Sequence, residues 1–169
     1  MKRVIYSLYV DVPAEEHYGS SQIKFDSTKK ANITINAFKK HYKKLIDCKR
    51  HYANKIGADF IMFDYDSKYK TFEKNFKSDF PEFTGYEIIN FYKIHLLYEL
   101  AKKYDEILYL DFDAVPLTDE SFFEVWDLSK GICVYNNNYH VKKDYGVIQG
   151  IRSPTAKYFN CHAMLLNYG

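Results

Sequence analysis

Two aspartates one residue apart, Asp111-Phe112-Asp113, are the pair in this chain whose type and spacing best suit chemistry. They follow Ile107-Leu108-Tyr109-Leu110, a continuous apolar run of the kind that makes a strand buried on both faces. Residues two apart on an extended chain point the same way, so both carboxylates face one ion while Phe112 turns into packing. Hard cations such as Mg²⁺ and Mn²⁺ take oxygen ligands, commonly one or two carboxylates together with phosphate oxygens of a substrate. The plain alternative is two acids in a solvated turn. Asp64-Tyr65-Asp66 repeats the pattern after the short apolar run Phe60-Ile61-Met62-Phe63 and serves as an internal control. At most one of the two is the main metal pair. Asp111 and Asp113 are preferred, because they follow the stronger strand and lead into Ala114-Val115-Pro116. Asp64 and Asp66 read as a surface turn, or as a hold on a ribose or base edge.

Lys93 lies inside the apolar stripe formed by Ile89, Leu96, Leu97 and Leu100. A lysine there either snorkels to the edge or reaches a phosphate. Lys49 occupies the same position in the stripe of its own helix, so periodicity does not single Lys93 out. Asn160 and His162 are two apart before an apolar run and share a face if extended; a lone His beside a strand is more often structural than a ligand. Cys161 reads as inert and buried. His41, His51 and His95 lack HExxH or HxxxH partners. No GxGxxG, no GK[ST] and no GxSxG occurs, which removes Rossmann dehydrogenases, P-loop enzymes and α/β-hydrolases.

These residues need a scaffold. The chain has 169 residues, enough for one domain over 1–169. At 47% apolar it can bury a core, which excludes a disordered chain. Lys plus Arg total 24 and Asp plus Glu 22, a net +2, so no global field attracts nucleic acid or anionic lipid. The cysteines Cys48, Cys133 and Cys161 are odd in number and far apart, which argues against disulfides or structural zinc and for a reducing, cytoplasmic setting. No apolar run approaches the roughly 20 residues of a membrane span. Met1-Lys2-Arg3 and the apolar run behind it imitate a signal peptide, but Asp11 cuts that run short and no cleavage pattern follows.

Residues 4–10 therefore read as a first strand, and 14–33 as a polar loop. Phe38 through Ile56 follow helical spacing up to Gly57, and 59–63 form a strand. A Lys/Phe-rich stretch to Phe83 reads as a long surface loop with a short helix. Thr84 and Glu87 fit a capping box opening a helix to about Tyr104. Residues 107–110 form the next strand. Thr118 is the expected cap of a short helix through Phe123 and Trp126, and 131–135 and 163–166 are further strands. The order βαβαβ predicts an α/β fold: a Rossmann-type open, mostly parallel sheet with helices on both faces. Ligands then bind at the carboxyl ends of the strands, where Asp11, Asp64/Asp66 and Asp111/Asp113 gather.

Three segments together carry a family resemblance. They are Phe91-Tyr92-Lys93-Ile94-His95-Leu96-Leu97, then 104–116 with its Asp111-Phe112-Asp113, then Phe122-Phe123-Glu124. With them the chain resembles GT-A nucleotide-sugar glycosyltransferases of the glycogenin and galactosyltransferase-like, family 8-like, group. Residues 158–166 resemble that group's "yFNaGvmll" strand. The match is dense over 86–124 and 157–167. The resemblance implies a GT-A-like catalytic domain that takes a nucleotide-sugar donor, a uridine diphosphate sugar, and passes the sugar to an acceptor (glycan, protein or lipid-linked sugar). It implies that Asp111 and Asp113 bind Mn²⁺ or Mg²⁺ on the donor diphosphate and that Lys93 neutralises phosphate. It implies that Ser7, Tyr9 and Phe112 contact the nucleotide, and that Asn160 and His162 face the sugar or acceptor. The family has a small residue where His162 stands, and a His metal ligand beyond the position where this chain stops. The domain is then C-terminally truncated, or finds its third ligand elsewhere, or is inactive; His162 is one candidate replacement.

Two competing readings remain. Leu110-Asp111-Phe112-Asp113-Ala114-Val115 also fits, locally, the motif of a haloacid-dehalogenase-like phosphatase with Asp111 as nucleophile, although that motif normally opens its domain. The other is a degenerate domain that binds a nucleotide sugar without turnover.

Overall fold

A computed structural model of the chain describes residues 1–13, 25–126, 128, 132–134 and 163–167. Among these residues five strands form one sheet: β1 (Arg3–Leu8), β2 (Asp59–Phe63), β3 (Glu106–Leu110), β4 (Ile132–Val134) and β5 (Ala163–Asn167). Their spatial order is β2-β1-β3-β5-β4. β1 pairs in parallel with β2 and with β3, Val4 lying opposite Asp59 on one side and Ile107 on the other. β5 runs antiparallel to both β3 and β4, so it alone opposes the common direction. The sheet is open and mostly parallel, as the strand-helix alternation requires. After β1 the chain first builds outward to β2, then returns to β3 on the other side. The carboxyl ends of β1 and β3 thus flank a topological switch point, where open α/β sheets leave a crevice for ligands.

Among the described residues four helices cover the sheet: α1 (Phe25–Lys55), α2 (Ser67–Asp79), α3 (Gly85–Ala101) and the short α4 (Phe122–Val125). Strand side chains alternate with period two. Val4, Tyr6 and Leu8 of β1, with Ile107 and Tyr109 of β3, pack on Tyr69 of α2 and on Tyr92, Leu96, Leu97 and Leu100 of α3. Ile5 and Leu108 face the other way, onto Tyr52, Ala53 and Ile56 of α1 and Phe123 of α4. Both faces are covered, which is why β3 reads as a continuous apolar run and β1 as one interrupted only by Ser7 after Arg3.

Helix ends follow local chemistry. At the end of α1 the amides of Ala58 and Gly57 donate to the carbonyls of Ala53 (2.9 Å) and Asn54 (3.3 Å), with Gly57 at φ +70°. This pair of bonds needs a left-handed residue, and glycine takes that conformation without strain. Thr84 and Glu87 form the capping box of α3.

Four expectations need correction. Residues 25–33, read as loop, belong to α1. The stretch before Phe83, read as a long loop with a short helix, is mostly helix: the 13-residue α2, capped by Asp66, whose carboxylate accepts from the Tyr69 amide at 2.9 Å. α3 stops at Ala101, before Tyr104, because the amides of Lys103 and Tyr104 both turn back to the Leu100 carbonyl. Ser121, not Thr118, stands at the start of α4; the Thr118 hydroxyl instead accepts from the Glu120 amide at 3.1 Å.

Candidate functional site at the carboxyl edge of the sheet

β3 ends at Leu110 and the backbone turns at once. The Ala114 amide donates to the Asp111 carbonyl at 3.0 Å, closing residues 111–114 into a turn. The strand alternation used to align Asp111 with Asp113 therefore stops one residue early. Phe112 does turn inward and is buried, while Asp113 is exposed. Asp111 lies between these extremes, its side chain 14% exposed. Its Oδ1 accepts from the Lys93 Nζ at 3.0 Å and from the Tyr109 hydroxyl. Lys93 projects from α3, whose backbone is tied to β1 where the Tyr6 hydroxyl donates to the Lys93 carbonyl at 2.9 Å. Lys93 thus does not snorkel outward. Its ammonium reaches Asp111 and stands 5.1 Å from the centre of the Tyr109 ring.

Beneath the turn sits Lys49 of α1, fully buried. Its Nζ donates to the Phe112 carbonyl at 2.6 Å and to the Leu45 carbonyl at 3.1 Å. Burial pulls this ammonium below its ordinary pKa; Cys48 and then the Asp113 and Asp111 carboxylates act in the opposite sense. Sequence reasoning gave Lys49 no role, although its place in an apolar stripe was the available signal. It also took Tyr109 for a core residue only, and its hydroxyl engages Asp111.

The middle of α1 lies against the carboxyl edge of the sheet and answers two of its acidic strand ends. The Lys39 ammonium pairs with Asp11 at 2.7 Å, and the Tyr42 hydroxyl donates to Asp64 at 2.6 Å. Four rings close the space between: Tyr9 stacks on Phe112 (4.6 Å between centroids, 27° between planes), flanked by Phe38 and Tyr42. Asp64 and Asp66 are accounted for as a helix-anchoring acid and a helix cap, so the control pair has structural work.

Burial, with the adjacent Asp11 carboxylate, pushes the Tyr9 phenol up to about 12; burial, with Asp64, raises Tyr42 as well. In the unfolded chain these phenols release their protons near about pH 10. Above that pH the unfolded state holds fewer protons than the folded one, so stability falls as pH rises and is fully present below it. Thermal melts are expected to hold level up to about pH 9.5 and then decline, with tyrosinate absorbance lagging a model tyrosine until unfolding. Full tyrosinate absorbance in a folded chain near about pH 10 would contradict the packing described.

Ser7 is fully buried, and its hydroxyl donates to the Leu110 carbonyl at 2.6 Å. In this arrangement it fastens β1 to the strand end that launches the aspartates. Ser7→Ala is expected to cost about 1 kcal/mol by leaving that carbonyl one partner short, seen as a lower melting temperature. Nucleotide affinity measured at a temperature where both proteins are folded should stay within about twofold, since RT ln 2 is only about 0.4 kcal/mol. A large affinity loss would return Ser7 to the contact role expected from sequence. Asn160 and His162 lie outside the described residues.

Among the described residues no cluster of three His, Cys, Asp or Glu side chains could hold a metal. Asp111 and Asp113 offer two carboxylates on one turn, a hard oxygen donor set of the kind Mg²⁺ and Mn²⁺ accept when phosphate and water complete the shell. A cleft of about 430 Å³ lies elsewhere, lined by Lys55, Ile56, Asp119, Glu120, Ser121, Glu124 and Val125. Its lining does not include Asp111, Asp113, Lys93 or Lys49. No helix among the described residues is long and apolar enough to cross a membrane. No curated protein matches the chain in sequence. The model of one protein family does match: Glycosyl transferase family 8, over residues 5–168.

Proposed function

Since the chain belongs to glycosyl transferase family 8, whose GT-A type of α/β sheet it shares, we propose that it transfers a sugar from a nucleotide-sugar donor to an acceptor, using a divalent cation at Asp111 and Asp113. The observation that carries this reading is the 111–114 turn: two aspartates at the carboxyl end of β3, beside the end of β1, with the Lys93 ammonium 3.0 Å from Asp111.

The donor is taken to be a uridine diphosphate sugar. When bound, Mn²⁺ or Mg²⁺ would offset the charge that builds on the departing nucleoside diphosphate. The chain's own part is positional and electrostatic. Asp111 and Asp113 would hold the cation. Lys93 orients Asp111 and adds positive charge where a diphosphate would lie. Tyr9, backed by Phe112, would line the nucleotide, and Asn160 and His162 are assigned to the sugar and acceptor. With a metal on the leaving group, no acid is needed to protonate it. The phosphatase reading loses ground, because here the D-x-D follows the third strand rather than opening the domain.

The test is a melt of the full chain with uridine diphosphate and Mn²⁺, each alone and together. Ligand at about 100 times Kd stabilises a fold by about 2.7 kcal/mol, which for a domain of this size corresponds to a rise of about 5–10 °C. No rise at millimolar ligand would count against the proposal. Sugar release from a uridine diphosphate sugar, measured with metal, then separates a transferase from a domain that binds without turnover.

A further inference from the structure

We propose that Lys49 is a positioning residue for the Asp111-Phe112-Asp113 turn: its buried ammonium, by gripping the Phe112 carbonyl, sets the direction in which the two carboxylates leave the sheet. The inference rests on the metal-binding reading above and adds to it a residue from a different part of the chain.

The geometry is specific. Lys49 is fully buried, although a lysine in an apolar stripe ordinarily extends to solvent. Burying an ammonium is costly unless hydrogen bonds compensate. Lys49 directs one such bond to its own helix at Leu45 and the shorter one, 2.6 Å, to Phe112, 63 residues away. Phe112 is the residue between the two aspartates, so holding its carbonyl fixes the Phe112–Asp113 peptide plane, from which the Asp113 side chain departs, inside the turn that Asp111 opens. Its ring is held too: the Lys49 Nζ lies 5.5 Å from the ring centre, and Tyr9, Phe38 and Tyr42 pack around it. Carbonyl and ring are thus gripped together, and the turn has little freedom to rotate. An apolar residue of the same length would fill the space without holding the carbonyl.

Charge and position make opposite predictions. Deleting a cation close to two carboxylates should tighten cation binding if its field were all that mattered. Deleting a positioning contact behind metal ligands typically weakens metal affinity 10- to 100-fold. Mn²⁺ affinity therefore separates the alternatives. It falls for a positioning role, rises for a purely electrostatic one, and stays put for a residue that only fills space.

The experiment compares the full-length wild type, Lys49→Met and Lys49→Arg by Mn²⁺ titration with and without uridine diphosphate, and by amide hydrogen exchange over residues 110–114. Lys49→Met is expected to bind Mn²⁺ about tenfold more weakly and to exchange the Ala114 amide faster, while Lys49→Arg, which keeps the donors, recovers most of both. Unchanged or tighter Mn²⁺ binding in a folded Lys49→Met protein overturns the proposal. Should Lys49→Met fail to melt cooperatively, Lys49→Gln, too short to hold the carbonyl in place, is judged by the same two readings. A wild type that binds no Mn²⁺ overturns the metal reading instead; the exchange data then decide Lys49, and unaltered protection of residues 110–114 overturns its role.

Discussion

Asp113→Asn is expected to lower Mn²⁺-dependent binding of uridine diphosphate, and sugar transfer with it, by at least about 100-fold, the scale on which ligand-shell and charge-stabilising groups act. Its melting temperature should barely move. Asp113 is exposed and makes no hydrogen bond or ion pair among the described residues, and surface changes of that kind usually stay within about 0.5 kcal/mol. Asp111→Asn should behave differently. Its carboxylate is mostly buried and takes bonds from Lys93 and Tyr109, so the same isosteric change removes a charge from a partly desolvated ammonium. That variant should lose activity and stability together. The contrast between neighbours two residues apart is the informative result. Calorimetric titration with and without Mn²⁺, alongside melts, reads both properties. Nucleotide binding that survives in Asp113→Asn and still depends on metal would place the cation elsewhere.

The parts of this molecule that sequence made visible are those whose stability is local or uniform. β3 and β1 announce themselves because both of their faces are buried, leaving Ile107 to Leu110 without a polar break and Val4 to Leu8 with only the small Ser7. Thr84 and Glu87 mark the start of α3 because a capping box is decided within four residues. The misreadings fall where distant partners decide. α2 exposes Lys68, Lys70 and Lys74 and carries aromatic residues of modest helix propensity, yet Phe72 packs on Tyr92 and Phe76 on Phe91, so its aromatic stripe is fixed by α3. The first turns of α1 carry no apolar stripe to read, and a helix already nucleated extends through them cheaply. The candidate site divides in the same way. The aspartate pair was legible as a pattern after a strong strand. Lys49 and Lys93 were equivalent as patterns, and only contacts 63 and 18 residues away tell the lysine under the turn from the lysine beside it.

Lys93→Met is expected to show two effects that obey different rules. The Lys93–Asp111 pair is only 13% and 14% exposed at its side chains, so solvent screens it little. Removing one partner of such a pair leaves a poorly solvated charge; for fully buried pairs the cost is about 3–5 kcal/mol, and about 2 kcal/mol is expected here, where some exposure remains. Removing both charges relieves that penalty. The double variant Lys93→Met/Asp111→Asn should therefore be no less stable than Lys93→Met alone, a coupling of about 1–3 kcal/mol in melts or denaturant titrations. Donor affinity should not cancel in this way. If Lys93 merely aims Asp111, the double variant binds uridine diphosphate no worse than Asp111→Asn. If the ammonium also faces the diphosphate, losing it costs a further factor of about 10 whatever stands at 111, because a unit charge near 4 Å in a medium of effective dielectric 20 is worth up to about 4 kcal/mol before desolvation is subtracted. The second outcome is the one expected, since Lys93 lies on the same edge of the sheet as both carboxylates. Full additivity of the two substitutions in stability would mean that the ion pair does not couple α3 to the turn.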